Sequence, residues 1–201
     1  MTVKQFIDNF FLDALKSQKE KGINAIFTLG QAALETGWGK SAPGNMFFGV
    51  KATPDTPANK RQLLITTEVF NDDKQGYRFP EVLSITKRSD GKYTYKVKDW
   101  FRKYDSPSES FSDHADFFYK NNRYAEALKV KDDPYAFADA IAKAGYATSP
   151  NYAKTLKSVI QTVDENISDF VKKKEVIIGG GALIAIGLII GFLIYKSKQN
   201  D

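Results

Sequence analysis

At residues 31–40 the sequence reads Gln31-Ala32-Ala33-Leu34-Glu35-Thr36-Gly37-Trp38-Gly39-Lys40. Small side chains precede one acid, Glu35, and two glycines follow it. On a helix, residues three and four positions apart share a face, so the spacing predicts that Glu35 lies beside Gln31 and Trp38. An aromatic wall removes water from a carboxylate, which raises the pKa of the carboxyl group and keeps it protonated near neutral pH. The pattern therefore favours a general acid of the kind that glycosidases need.

A solvated surface residue is the alternative interpretation of Glu35, and it is the usual one for a lone Glu near a helix end. The flanking residues favour the general acid, because a solvated Glu does not require Ala32 and Trp38 as neighbours. Gly37 and Gly39 can end the helix and let the backbone approach a ligand closely.

Composition limits the chemistry available to the chain. Its 201 residues, with 42% hydrophobic content, allow one domain of ordinary size with a core, plus an appendage. Cysteine is absent, which excludes disulfides, thiolate nucleophiles and cysteine metal sites. A single histidine, His114, argues against a zinc site or a Ser-His triad, and we expect it on the surface of a helix. We expect no metal and no cofactor.

The net charge of +5 is distributed unevenly. Residues 1–171 carry 24 basic and 22 acidic side chains, a balance of +2, whereas residues 172–201 carry five and two, a balance of +3. Because the body of the chain is nearly neutral, the pattern argues against a nucleic-acid partner. The lysines of the tail instead indicate a membrane surface.

Hydrophobic periodicity and turn signals predict helices on both sides of a β-rich middle. Thr2 and Gln5 form a capping-box pattern for a first helix that runs to about Lys19, and Asp8 and Asp13 within it argue against a signal peptide. The other predicted helices span 24–36, 112–121, 124–130 and 134–144, the last with Asp133 as its N-cap, and a final helix starts at 150. Strands are predicted at 62–70, 81–88 and 93–100, with Asp90-Gly91 as a hairpin turn.

Four further residues are compared as candidates for a site. In the Gly- and Pro-rich segment 37–57, Phe48 can stack on a sugar ring while the amide of Asn45 binds an acetamido group. Packing of Phe48 in the core is an equally favoured alternative. Tyr146 follows the helix-ending Gly145, where it either lines a cleft or serves in packing. For Glu68, in the first strand, the position alone predicts a solvent-facing residue.

The C-terminal tail predicts a transmembrane helix. Residues 176–195 carry no charge over twenty positions, the length of helix that crosses the bilayer core. We therefore divide the chain into a domain at 1–170, a basic juxtamembrane linker at 171–175, the transmembrane helix at 176–195 and a short basic tail at 196–201. Gly187 and Gly191 form a GxxxG pair that can support helix–helix pairing in the membrane, although such pairs also arise by chance.

Four separated motifs resemble one family. They are residues 31–39, Asn45 to Ala52, Phe101 to Phe111 (FRKYDSPSESF) and Gly145 to Ala153 (GYATSPNYA). Together they are similar to the bacterial endo-β-N-acetylglucosaminidases of the flagellar-muramidase type, glycoside hydrolase family 73, over roughly residues 3–165. Four motifs in the same order make the resemblance far more specific than any one of them.

The resemblance implies an α+β, mainly α fold, with a lysozyme-like helical domain and a small antiparallel β-lobe. It also implies cleavage of the β-1,4 bond after N-acetylglucosamine in peptidoglycan. Glu35 matches the family's general acid, Glu68 resembles the second carboxylate of the β-lobe, and Tyr146 matches the tyrosine at the catalytic cleft. The candidate substrate-binding residues are Trp38, Asn45, Phe48 and Tyr124.

One segment and one single residue depart from the family pattern. Residues 79–100 look like an additional hairpin, which enlarges the β-lobe that carries Glu68. Met46 stands where many relatives have a second Asn, which alters a subsite.

We interpret the chain as an autolysin-like, bacteriolytic enzyme in which Glu35 protonates the glycosidic oxygen. Glu68, or the substrate's own 2-acetamido group, stabilises the positive charge that develops at the anomeric carbon. A carboxyl separation of about 5–5.5 Å would indicate a nucleophile, and about 6.5–9.5 Å an inverting water.

Alternatives stay open for the reaction and for the location. An N-acetylmuramidase or lytic transglycosylase would use the same fold on the other bond, and a catalytically dead module would bind the wall without cleaving it. The expected location is the cell envelope, with the membrane-anchored domain facing the wall, or else the chain is a phage-type lysin.

Overall fold

The computed structural model describes residues 1–177. The chain folds into two compact units. Among the described residues, the helical unit comprises Met1–Ser41 and 111–177, and the β unit comprises Ala42–Ser110. The β unit is therefore an insertion in the sequence of the helical unit.

Six α-helices lie within residues 1–177. They are α1 (Val3–Lys21), α2 (Ala25–Thr36), α3 (Pro107–Lys120), α4 (Ala125–Leu128), α5 (Pro134–Lys143) and α6 (Tyr152–Ile177). α3 begins before the predicted start at 112, because the Ser106 hydroxyl accepts from the Glu109 N–H at 3.2 Å and caps a helix with Pro107 in its first turn. α6 begins after the predicted start at 150, because the Tyr152 N–H bonds to the Ser149 carbonyl in a tighter turn.

Side-chain caps define the starts of α1, α2 and α5. The predicted capping box is confirmed, since Thr2 accepts from the Gln5 N–H and the Gln5 side chain accepts from the Thr2 N–H. Asp133 accepts from two N–H groups at the start of α5, as predicted. Asn24 does the same for α2. Each cap satisfies donors that the first turn of a helix leaves unpaired.

α2 is buried along nearly its whole length. It packs against α1, α5 and α6, and only Leu34 and Glu35 of its twelve residues are not buried. Gly30 permits the contact with α6, because a Cβ at this position would lie 2.7 Å from Ile160 Cγ1 and 3.2 Å from its Cα. The acid-bearing helix is thus fixed by close backbone packing.

The β unit contains a three-stranded antiparallel sheet. Its strands are β1 (Arg61–Phe70), β2 (Glu81–Lys87) and β3 (Tyr93–Arg102), in the order β1-β3-β2. The predicted hairpin turn is confirmed, with Gly91 at a φ of 82° and the Arg88 N–H bonded to the Lys92 carbonyl at 2.8 Å. The central strand β3 contributes Tyr95 and Val97 to the core.

β2 is an edge strand with no buried residue. Its large apolar side chains Val82, Leu83 and Ile85 are all exposed. The pairing with β3 shifts between Val82 and Ser84, which marks an irregularity of the β-bulge type in this strand.

The predicted transmembrane segment at 176–195, including Gly187 and Gly191, lies outside the described residues except for its first two positions, and the predicted tail at 196–201 lies outside them entirely. In the described part of the chain, no helix combines the length and the apolar character needed to cross a membrane. α6 runs to Ile177, so the backbone of the predicted linker at 171–175 is helical.

Gly30→Ala is expected to destabilise the protein, although alanine is the better helix former by about 1 kcal/mol. The added Cβ would overlap Ile160, and overpacking of this kind costs about 1–3 kcal/mol. Urea unfolding measures the change. Gly76→Ala is the matched control, because its Cβ would meet only the Val82 side chain, at 3.3 Å. A Gly30→Ala protein as stable as wild type would contradict the close approach of α2 and α6.

Candidate active site

α2 presents Glu35 on its last turn. The helix ends at Thr36, and the next three residues, Gly37, Trp38 and Gly39, have φ angles of 58°, 62° and 73°, all in the left-handed region. The Thr36 hydroxyl accepts from the Gly39 N–H at 2.8 Å and stabilises this turn. The chain therefore changes direction immediately after the acid.

Trp38 does not share a helical strip with Glu35, which corrects the spacing argument, because α2 ends two residues before it. Its ring instead packs edge-on against Phe6 of α1, with centroids 5.7 Å apart. A left-handed backbone costs a bulky residue roughly 1–2 kcal/mol. Strain of this kind is common at functional sites, so it supports a role for this turn.

A series of polar side chains leads from Glu35 into the core of the helical unit. The hydroxyl of Tyr152, at the start of α6, acts on the Glu35 carboxyl, favours its charged form and so lowers the pKa of Glu35. Gln31 Nε2 donates to the same hydroxyl at 2.8 Å, and Gln31 Oε1 lies 2.7 Å from Nε2 of His114 on α3. This polar series, Glu35–Tyr152–Gln31–His114, joins α2, α3 and α6.

Tyr146 lies in the loop between α5 and α6 and belongs to the same cluster. Its ring stacks on that of Tyr152, with centroids 5.5 Å apart. The negative charge of Glu35 acts on its hydroxyl. The structure thus brings together Glu35 and Tyr146, two of the three predicted catalytic residues.

The electrostatic environment of Glu35 raises its pKa above the ordinary value of 4.5. Surrounding protein atoms remove water from the carboxyl group and raise the pKa, whereas the hydrogen bond from Tyr152 favours the charged form and lowers it by less. The side chain nevertheless keeps an exposed surface. The carboxyl group is therefore desolvated on one side and accessible on the other, which suits proton donation to a bound substrate.

Both tyrosines of the cluster are neutral phenols. Burial raises the pKa of Tyr146 and of Tyr152 well above the ordinary value of 10, and the nearby charge of Glu35 raises both further. A neutral phenol donates a hydrogen bond and does not act as an anionic nucleophile. We therefore treat both side chains as donors.

His114 is only 3% exposed, which corrects the expectation of a surface position. Its ring is stacked on Phe117 and lies edge-on to Phe118. Burial lowers its pKa to about 3, so the ring is neutral at physiological pH. A signal was present in the sequence, because His114 lies three residues after Phe111 and four before Phe118, on the buried face of α3.

In the β unit, Glu68 forms an ion-pair cluster with Lys51 and Asp99. Lys51 Nζ lies 2.8 Å from Glu68 Oε1 and 2.5 Å from Asp99 Oδ2. Burial alone would lower the pKa of Lys51, but the hydrogen bonds to the two carboxylates outweigh burial and raise it. Glu68 is therefore held in place by a partner, which its position in the strand did not predict.

This ion-pair cluster borders an open pocket of about 340 Å³ in the β unit. Side chains that line it include Lys51, Glu68, Phe70, Arg78, Phe79 and Asp99. Aromatic walls with a few fixed polar groups are typical of small-molecule sites. Within residues 1–177, no group of three or more His, Asp or Glu side chains is arranged to hold a metal ion.

The other predicted binding residues differ in accessibility. Tyr124 is fully buried and packs against Phe118, and Phe48 is also buried, which favours a packing role for both. Asn45 is partly exposed, and its amide donates to the Tyr104 carbonyl at 3.0 Å. A sugar contact by Asn45 stays a prediction.

Comparison with known proteins finds one matching family model. The Glucosaminidase model, described as mannosyl-glycoprotein endo-beta-N-acetylglucosaminidase, matches residues 12–165. The peptidoglycan hydrolase FlgJ of Escherichia coli is 32% identical over 177 residues, which cover 85% of this chain and 49% of that protein. The chain thus spans about half the length of the FlgJ relatives it matches.

Solved structures share the fold. The C-terminally truncated glycoside hydrolase domain of Salmonella typhimurium FlgJ has a TM-score of 0.60 and 32% identity, over 82% of this chain and 99% of that chain. A peptidoglycan hydrolase mutant from a Sphingomonas species has a TM-score of 0.60 and 29% identity, over 83% of this chain and 99% of that chain. The mainly helical fold with a small antiparallel sheet is therefore as expected.

Glu35→Gln is expected to increase the free energy of unfolding at neutral pH. Because folding raises the pKa of Glu35, the folded state binds the proton more tightly than the unfolded state. The free energy of unfolding therefore falls as the pH rises from the pKa of the unfolded chain to that of the folded protein. The neutral amide avoids this loss. Urea unfolding of both proteins from about pH 4 to 8 measures the difference, which should shrink as pH falls below 4.5. A difference that does not vary with pH would contradict the raised pKa.

Proposed function

The chain belongs to the glucosaminidase family of glycoside hydrolases, and we propose that it cleaves the β-1,4 bond after N-acetylglucosamine in peptidoglycan. One observation carries the proposal: Glu35 is accessible, and burial of its carboxyl group raises its pKa. The relatives named peptidoglycan hydrolase support the choice of substrate.

Glu35 acts as the general acid in this proposal. The raised pKa extends to higher pH the range in which the carboxyl group carries its proton, and that proton moves to the glycosidic oxygen as the bond from this oxygen to the anomeric carbon breaks. The leaving sugar departs as a neutral alcohol. The resulting Glu35 carboxylate then accepts the hydrogen bond from Tyr152, which stabilises its charge.

The positive charge that develops at the anomeric carbon needs a second group. Glu68 is one candidate, because Lys51 fixes the orientation of its carboxylate beside a pocket with aromatic walls. The 2-acetamido oxygen of the substrate is the other. Tyr146, a neutral donor, is proposed to bind the sugar at the reacting centre, with Trp38 and Asn45 at neighbouring subsites.

Digestion of purified peptidoglycan by the full chain and by its Glu35→Gln variant tests the reaction. Borohydride reduction and mass spectrometry identify the new reducing ends. We expect glucosaminitol ends from the wild type and a rate roughly 10²–10⁴-fold lower in the variant, the usual contribution of a general acid.

Other products would change the assignment. Muramitol ends would indicate an N-acetylmuramidase, and anhydromuramyl ends a lytic transglycosylase. A folded protein that binds saccharides without cleaving them would support the wall-binding module.

The same digestion with Glu68→Gln separates the two routes for the developing charge. A loss as large as that of Glu35→Gln supports Glu68, whereas a rate within about tenfold of wild type supports the acetamido route. Asp99→Asn removes the other carboxylate bound to Lys51 and reports how much of the effect comes from disturbing the ion pair.

We also propose that the segment at 176–195 anchors the enzyme in the membrane with the domain facing the wall. Twenty uncharged residues flanked by Lys172–Lys174 and Lys196 support it. Protease added to intact spheroplasts is expected to degrade the domain. Complete protection would contradict an anchored domain that faces the wall.

A further inference from the structure

Gln31 and His114 are buried polar side chains for which the proposed reaction has no role. Gln31 is 0% exposed and His114 is 3% exposed. Buried polar groups cost stability unless they are hydrogen-bonded, and apolar residues of similar volume would avoid that cost. Their hydrogen bonds connect them to Tyr152, and the Tyr152 hydroxyl in turn favours the charged form of Glu35. This connection points to a role in the site.

The chemistry of each group sets the direction of these hydrogen bonds. The Tyr152 hydroxyl has one proton, and Gln31 Nε2 is a donor, so the 2.8 Å bond between them occupies a lone pair of the Tyr152 oxygen. The Tyr152 proton is left free to be donated to Glu35. At the other end, Gln31 Oε1 only accepts, so His114 carries its proton on Nε2.

We propose that Gln31 and His114 are positioning residues that hold the Tyr152 hydroxyl as a hydrogen-bond donor to Glu35. The proposal rests on the proposed role of Glu35 as the general acid. With the Gln31 amide reversed, its oxygen would attract the Tyr152 proton and Glu35 would lose its donor. An Nε2–H group on His114 prevents this reversal, because it cannot accept from the amide.

The surroundings of Glu35 and Tyr152 come from several elements of the helical unit. The Tyr152 hydroxyl on α6 acts on Glu35, and the ring of Tyr146 in the preceding loop stacks on that of Tyr152. Phe6 of α1 packs against Trp38 just beyond the last turn of α2, and the positive charge of Arg123 acts on Tyr146. Tyr152 is the group that favours the charged form of Glu35, so loss of its hydrogen bond should raise the pKa of Glu35 further.

The tautomer of His114 tests the proposal without any substitution. His114 is the only histidine in the chain, so the imidazole ¹⁵N resonances of the labelled full chain belong to this one residue. We expect the Nε2–H tautomer, with a neutral ring down to about pH 4, because burial lowers the pKa of His114 to about 3. An Nδ1–H tautomer, which leaves Nε2 as an acceptor, would overturn the proposal.

A double-mutant cycle tests whether Gln31 acts through Tyr152. The pKa of Glu35 is measured from its ¹³C carboxyl resonance, assigned by comparison with Glu35→Gln. Gln31→Met and Tyr152→Phe should each raise it, and Gln31→Met should add nothing once Tyr152 is Phe. Gln161→Met, on the exposed surface of α6, is the matched control. Additive shifts, or no shift, would overturn the proposal.

The pH profile of hydrolysis separates positioning from a merely structural role. A carboxyl group with a higher pKa keeps its proton to higher pH, so the alkaline limb of kcat should move to higher pH in Gln31→Met. We expect kcat to fall by about tenfold with KM changed by less than about twofold, because a misplaced acid weakens the transition state more than binding. A fall in kcat with an unmoved limb would contradict positioning.

Failure of this inference is distinguishable from failure of the proposed function. The tautomer and the Glu35 titration are read from resonances and require no turnover. A protein that shows the expected resonances but cleaves nothing would support the positioning by Gln31 and His114 and contradict the proposed hydrolase activity. A protein that cleaves peptidoglycan normally but has the Nδ1–H tautomer of His114 would support the hydrolase activity and contradict the positioning role.

Discussion

Close packing between α2 and α6 is the constraint on which the helical unit depends. Gly30 lets the backbones of the two helices approach at Ile160, and α2 is buried along nearly all of its length as a result. The next residue along α2, Gln31, bonds to Tyr152 at the start of α6. The spacing of the two helices therefore determines both the core and the polar groups that support Glu35.

Local signals were sufficient for much of the fold. The capping box at Thr2, the hairpin turn at Asp90-Gly91 and the cap at Asp133 act within a few residues, and all three are confirmed. The start of α3 is earlier than predicted although Ser106 and Pro107 provide a local cap signal, whereas the start of α6 depends on the backbone geometry of a single turn. Hydrogen bonds of that kind leave only a weak trace in hydrophobic periodicity.

The site was predictable only in part, because its contacts join distant residues. The general-acid role of Glu35 was predicted from its neighbours in sequence and stays a prediction, whereas the link between Gln31 and Tyr152 spans 121 positions of sequence. Lys51 and Asp99 are similarly remote from Glu68 in the chain. His114 is different, because a surface position was expected although its spacing to Phe111 and Phe118 already indicated the buried face of α3.

The irregular pairing of β2 affects how the molecule behaves in solution. A regular edge strand that exposed Val82, Leu83 and Ile85 would offer another chain a continuous row of backbone partners and an apolar surface. The bulge between Val82 and Ser84 interrupts that row. Lys87 and Arg88 at the end of the strand add charge. β2 therefore combines an exposed apolar surface with protection against sheet-to-sheet aggregation.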